Sequence, residues 1–320
     1  MPWNKIDPER RNTLLLVGGI VAVVAISLLL AGYGYYTDKI APKRETVLRV
    51  GDRSWNVDQL QRRTNAQINN NNLDRTEMQK NIEDTLKQMR DEELVRRVAE
   101  ANGIKLTEEQ LLAGYRTRFG LPADASRELI ALNLRSELRN NGLKLSEFED
   151  IVKAATLDRM MNEKVRAALP AKSEHVNLGL IQLAAQSQAI QLRQVVFEEK
   201  ESFAVVAARE SRHPSKEKAG DVGWVPREAL PKEVADVAFS RNDLFLSDVI
   251  ENEAGFFIIA VRGKEERELT DENKELIIQQ KRAEQLEKAK GAVGVAVDLT
   301  QGQERRIAIA LGAGQRPVGA

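Results

Sequence analysis

From Thr13 to Tyr36 the chain runs 24 residues without a charge. At 1.5 Å per residue this makes about 36 Å of helix, enough to cross a hydrocarbon core of about 30 Å with some tilt. The run is longer than the roughly 7–15 apolar residues of a signal peptide and lacks an Ala-x-Ala-like site. It therefore predicts a retained single-pass anchor over residues 13–36, preceded by a polar tail over 1–12. Tyr33, Tyr35 and Tyr36 suit an aromatic belt at one interface. Lys39, Lys43, Arg44 and Arg49 outnumber Lys5, Arg10 and Arg11, so the count of basic residues leaves the orientation open.

Beyond the anchor the period changes. Val47 to Trp55 reads as strand, Gly51-Asp52 turn, strand. A helix starts near Asp58 and breaks at Asn69–Asn72, because Asn side chains compete for the backbone. Thr76-x-x-Gln79 reads as a capping box for a second helix carrying Ile82, Leu86, Leu94 and Val98, stopped by Asn102-Gly103. Thr107-x-x-Gln110 opens a third, Leu129 to Leu138 mark a fourth, and Ser146-x-x-Glu149 opens a fifth that runs towards Pro170. These stripes read first as the core of a helical domain over 46–170. Met78, Met89, Met160 and Met161 are the alternative, an adaptable client-binding surface.

The next stretch, 171–266, mixes short strands and helices into a small α+β sheet: a strand and helix over 172–194, helices over 202–211 and 232–240, and strands at Trp224, Ser247–Ile250 and Phe256–Val261. A helix over 267–290 carries Leu276, Ile277, Ala283 and Leu286 on one side, too few to stand without a partner surface. Residues 291–320 hold six glycines and are expected to form a flexible tail.

Composition narrows the chemistry. Among 320 residues, 42% are hydrophobic and 30% charged, with no net charge, which argues against a nucleic-acid partner. Without cysteine there are no disulfides, no thiolate metal sites and no thiol nucleophile. Two histidines are too few for a His-rich metal site, and no P-loop, HExxH or GxSxG occurs. No cofactor or metal is expected.

The order of motifs from Gly179 to Val261 resembles the parvulin family of peptidyl-prolyl isomerases. It comprises Phe203-x-x-x-Ala207-x-x-x-Ser211, Gly220-Asp221-Val222-Gly223-Trp224, Leu230-Pro231-x-x-Val234, Ser247-x-Val249-Ile250 and Gly255-x-Phe257-Ile258-Ile259. Upstream, the Val50-Gly51-Asp52 turn and Ala99 to Gln110 resemble the N-terminal chaperone domain of SurA-, PpiD- and PrsA-type proteins. The resemblance implies an α+β fold in four parts: an anchor, a mainly helical SurA N-like domain, a small parvulin-like domain, and a C-terminal helix returning to the helical domain. It also places the large domain on the extracytoplasmic side of the inner (cytoplasmic) membrane.

The family's isomerases use two histidines facing each other across the sheet, a Cys or Asp, nearby hydroxyls and a Met-plus-Phe pocket for the proline ring. Aligned by the motifs, the two His positions fall at Gly179 and Phe257, the Cys/Asp position at His213, the hydroxyls at Asn252 and Ala254, and the pocket at Leu230 and Val234. The substrate-binding set is then Leu230, Val234, Phe257, Val222 and Asn252, with no catalytic residue beyond the candidate His213, otherwise a solvated loop side chain. His175 is the alternative for a displaced first histidine. Phe257 offers no hydrogen bond and Gly179 no side chain, so the polar network is degenerate.

The expectation is an anchored folding factor that captures extended segments of unfolded or partly folded exported proteins between its helical and parvulin-like domains, with weak or absent turnover. An active isomerase with an atypical site, and a structural subunit docking with a partner in an envelope complex, are the alternatives.

Overall fold

Strands β1 (Thr46–Val50) and β2 (Arg53–Asn56) form where Val47, Leu48 and Val50 supply a buried face. Gly51, at φ 59°, turns the chain between them. The computed structural model describes residue 21 and residues 25–312. The chain forms two compact units. The first comprises the described residues up to Leu94, Glu108–Lys153 and those from Lys290 onward; the second comprises Val95–Thr107 and Ala154–Ala289.

In the first unit, α1 (Val57–Asn71) opens on a capping box. The Asn56 side chain accepts from Gln59 N, and the Gln59 side chain accepts from Asn56 N, both at 3.0 Å. Asn72, in the left-handed region at φ 50°, ends it. α2 (Met78–Ala101) follows a turn capped by Asp74, whose Oδ1 accepts from Thr76 N at 2.8 Å. Asp74 thus takes the role expected of Thr76. Helices α3 (Glu108–Arg118), α4 (Arg127–Asn141) and α5 (Leu145–Ala167) follow. Tyr115, Phe119 and Phe148 stack with ring centroids 5.7 to 6.2 Å apart, over Ala66, Ile130, Leu143 and Val152. Met78, Met89 and Met161 are at most 5% exposed, so these three belong to the core and not to an adaptable surface.

Charges at low exposure in this unit are paired. Arg62 donates to both carboxylate oxygens of Glu147 at 3.0 and 2.5 Å and also to Asp58, while Arg63 donates to both oxygens of Glu92 at 2.5 and 2.6 Å. Hydrogen bonding to Glu147 raises the Arg62 pKa against the opposing effect of burial.

The C-terminal stretch departs from the expected flexible tail. Val295–Val297 forms a strand, β8, paired antiparallel with β1 through Val50↔Val295 and Leu48↔Val297. Asp298 N donates to Val47 O at 3.0 Å. A helix over Gln301–Ala310 opens on a capping box between Thr300 and Gln303, and it buries Ile307 completely. Gln303 and Arg306 reach Glu45 at 2.7 and 3.1 Å. Few large apolar residues suffice, because β1 offers an open edge whose amides and carbonyls need partners. Residues 313–320 lie outside the described residues.

Of the expected anchor, residues 13–20 and 22–24 lie outside the described residues, as does the 1–12 tail. Residues 25–35 are helical. Ile26, Leu28, Leu29 and Leu30 on this helix are 56 to 73% exposed. Among the described residues no helix is long and apolar enough to cross a membrane.

The second unit is built on β3 (Lys172–Leu183) and β7 (Gly255–Glu268), paired antiparallel over twelve positions. Among the described residues the sheet has the order β4-β3-β7-β5, with β6 also on β7; β4 is Asp221–Pro226, β5 Phe245–Leu246 and β6 Ile250–Asn252. One face, with Val176, Leu178, Leu180, Ile259 and Val261, packs on Val234, Ala235 and Ala238 of α8 (Lys232–Ala238). The other, with Ile181, Leu183 and Ile258, packs on α6 (Gln186–Phe197) and α7 (Phe203–Glu210). Gly220, at φ 83°, lets the chain pass α7: a Cβ there would lie 2.6 Å from the Ala207 Cβ. The long helix α9 (Asp271–Val293) buries Ile277, Ile278 and Leu286. Leu276 is 40% exposed, and Ile278 takes the place predicted for it. Arg282 Nε donates to Asp158 and Arg166 to Glu275, both at 2.6 Å, so α9 is tied to the later turns of α5. The whole is mainly helical with a small α+β sheet domain.

Candidate functional site

Strand pairing decides which side chains meet. Directly opposed residues of an antiparallel pair share a face, and neighbours along a strand do not. Phe257 pairs with Gln182, and Leu180 with Ile259 one step further along the same face. Phe257, Leu180, Leu230, Val234, Ile250 and Ile259 form one cluster, with Val222 packed against it. Phe257, Leu230 and Val234 are 4%, 7% and 0% exposed. Four of the five predicted substrate-binding residues are therefore together, but three of them are core side chains with almost no surface to offer.

The fifth, Asn252, stands at the β6–β7 turn. Its Oδ1 accepts from Ala254 N at 2.8 Å, and Ala254 O in turn accepts from Gln182 Nε2 at 2.9 Å. Asn252 holds the turn, and Gln182 ties it to β3.

Gly179 is not on this face. It pairs with Ala260, and a Cβ on it would lie 2.9 Å from the Phe203 ring and 3.0 Å from Arg262 Nη2 on the opposite side of the sheet. The residue directly across from Phe257 is Gln182, and Leu180 is its next neighbour on the same face. The alternation Val176, Leu178, Leu180 carried this signal, since residues two apart on a strand share a face.

His175 is fully buried and fully occupied. Its Nδ1–H donates to Ser173 O at 2.8 Å and its Nε2 accepts from Asn273 Nδ2 at 2.9 Å, linking β3 to α9. It is a structural tie, not a displaced member of the site.

His213 is half-buried, not a free loop side chain. Its Nδ1 accepts from Ser215 N at 3.1 Å and lies 2.8 Å from Ser215 Oγ, capping the turn Pro214–Lys218. Because Nδ1 accepts from an amide, the proton sits on Nε2, which makes no hydrogen bond among the described residues. Burial pushes its pKa below the ordinary imidazole value. The segment that carries it runs beside β3: Arg212 N donates to Gln182 O at 2.8 Å and Gln182 N to Ser211 Oγ at 3.1 Å.

The result is an apolar face without an imidazole, bordered by one neutral histidine. Asp221 does not enter it. Its carboxylate accepts from Gly223 N at 3.1 Å and from Arg262 Nη1 at 2.9 Å, shaping the turn into β4. No group of acidic or histidine side chains among the described residues could hold a metal ion.

Fold and site together define a parvulin-like domain joined to a helical chaperone-type domain. The family model of the PPIC-type PPIASE domain (rotamase) matches residues 181–263, and that of the SurA-like N-terminal domain matches residues 9–162. The chain belongs to this SurA-like, parvulin-type family of isomerase chaperones.

Similar solved structures include the peptidylprolyl isomerase PrsA from Bacillus anthracis, at 17% identity and a TM-score of 0.39, covering 71% of this chain and 94% of that one. The parvulin domain of PpiD from E. coli shares 22% identity over 29% of this chain and 91% of that one, with a TM-score of 0.26. A SurA-like chaperone from Campylobacter jejuni, from work on PEB4 and Cj1289, shares 19% over 63% and 90%, with a TM-score of 0.27. Among curated proteins none matches the chain.

Proposed function

We propose that this chain is a membrane-anchored, extracytoplasmic folding factor that holds unfolded or partly folded exported proteins and isomerises prolines weakly or not at all. The closed cluster around Phe257 carries the second half of this reading. Rotating an X-Pro bond means passing a barrier of about 18–20 kcal/mol, and a catalyst must grip the ring and favour the twisted amide through placed donors. Here Leu230, Val234 and Phe257 are at most 7% exposed, and the polar side chains beside them, Asn252 and Gln182, are spent on the Ala254 backbone. Loss of one placed donor commonly costs about 2.7–4 kcal/mol of transition-state stabilisation.

Anchoring is supported by the helix over residues 25–35. Leu28, Leu29 and Leu30 point to three sides and are all at least 66% exposed, which is unfavourable in water and favourable in hydrocarbon. Holding is the activity left to a family member whose proline site is closed.

The test compares cis-to-trans conversion of a short X-Pro peptide with suppression of aggregation of an unfolded client, using the full chain in detergent. Suppression without acceleration is expected; acceleration well above background refutes the reading. A second reading, an active isomerase with an atypical site, is favoured by the unpartnered Nε2–H of His213. It requires that acceleration be present and be lost in His213→Ala.

A further inference from the structure

The apolar run enters the first unit beside a recess lined by two chemistries. Tyr35 and Ile40 are its apolar lining, Lys43, Arg44 and Lys144 its basic lining, and the cavity measures about 560 Å³. Lys144 lies about a hundred residues from Lys43 and Arg44 in sequence, so the fold alone brings the three cations to one place.

Arg53, Arg62, Arg63 and Arg116 of this unit each have an acidic partner. Lys43, Arg44 and Lys144 form no ion pair among the described residues. The polar groups that share the recess do not neutralise them. Asp58 is held by Arg62, and Asn56 is committed to the α1 capping box. Three exposed cations left unpaired around one cavity repel one another unless an anion enters.

An apolar wall beside a trivalent cationic one fits an amphiphile with a phosphate, not a free anion. We propose that this recess binds the phosphate of an anionic phospholipid headgroup at the membrane surface where the chain emerges. The proposal rests on the anchored reading, which puts Tyr35 at the interface. Lys43 and Arg44 then stand at headgroup depth, and Lys144 closes the site from the folded unit, so that lipid binding fixes this unit against the bilayer.

Each Lys or Arg near an anionic surface contributes about fivefold in affinity, so three together give on the order of 100-fold. The test is native mass spectrometry of the full chain in neutral detergent, titrated with phosphatidylglycerol, phosphatidylcholine or inorganic phosphate. Phosphatidylglycerol should be retained in preference to phosphatidylcholine. The variant Lys43→Gln/Arg44→Gln/Lys144→Gln should lose that preference by roughly 100-fold, with phosphatidylcholine unchanged. All three side chains are exposed, so the fold should persist, with an unchanged thermal melt as the check. Should the triple variant unfold, Lys144→Gln alone, expected to be about fivefold weaker, decides the matter.

Equal retention of the two lipids, or retention unaffected by the substitutions, overturns the proposal. Displacement of phosphatidylglycerol by millimolar inorganic phosphate overturns the lipid assignment in favour of a phosphate site. Alkaline extraction of native membranes separates the two readings. Release of the wild-type chain refutes the anchor itself, whereas retention without a phosphatidylglycerol preference refutes only the recess.

Discussion

Replacing Ile307 with Ala asks whether the C-terminal segment is a structural part of the first unit. Ile307 is fully buried, while Ile309, on the same helix, is 68% exposed. Truncating a fully buried Ile to Ala removes its transfer free energy and leaves a cavity, at a cost of about 2–5 kcal/mol. The same change at Ile309 should stay within about 0.5 kcal/mol. The pair therefore separates docking from helix propensity, which changes equally at both sites. Urea unfolding of the full chain supplies the assay, followed by Trp55 fluorescence with Trp3 and Trp224 replaced by Phe. Trp55 lies on β2, next to the β1 strand to which β8 pairs. With a urea slope of about 1–3 kcal/mol per M, a loss of about 3 kcal/mol moves the midpoint by roughly 1–3 M. Equal, small shifts for both variants would refute the docked segment and return residues 295–311 to a free tail.

Three further outcomes are expected. Glu147→Gln should destabilise the first unit by about 1.5–3 kcal/mol in the same denaturation assay, because Arg62 loses its bidentate carboxylate and keeps Asp58 as an acidic partner. Gly179→His should lower stability by about 1–3 kcal/mol through collision with Phe203, without placing an imidazole near Phe257; Leu180→His combined with Phe257→His puts both rings on one face, and peptide isomerisation compares the two. For pH dependence, burial depresses the His213 pKa in the folded state, so between that value and the ordinary imidazole pKa of about 6.5 the unfolded chain binds more protons. Stability is full above that range and declines as pH falls through it, and His213→Asn, which keeps an acceptor for Ser215 N, should flatten the decline in urea midpoint between pH 7.5 and 5.

Much of the framework was legible because its signals are local. The Asn run that ends α1, the Gly51 turn and the Asn102-Gly103 stop of α2 each act within a few residues. The motif order from Phe203 to Ile259 likewise identified the sheet domain before any pairing was known. What the linear motif spacing could not fix was register. A slip of one residue moves a side chain to the other face of a strand, and the β3–β7 pairing puts Gln182, with Leu180 beside it on the same face, where the motif spacing put Gly179.

The same limit explains the rest. His213 reads as a loop residue until the amide of Ser215 closes on its ring, and His175 reads as spare until Asn273 reaches it from α9. Residues 295–311 look too polar and too rich in glycine to order themselves, and alone they would be. They order because β1 presents an unfilled edge and because Ile307 finds a buried place in a unit whose other residues lie at or before Lys153 or from Lys290 onward, most of them far from it in sequence. Periodicity and capping are written in the chain, since they depend on neighbours; burial, pairing register and the gathering of Lys43, Arg44 and Lys144 depend on residues far apart, and only the tertiary structure decided them.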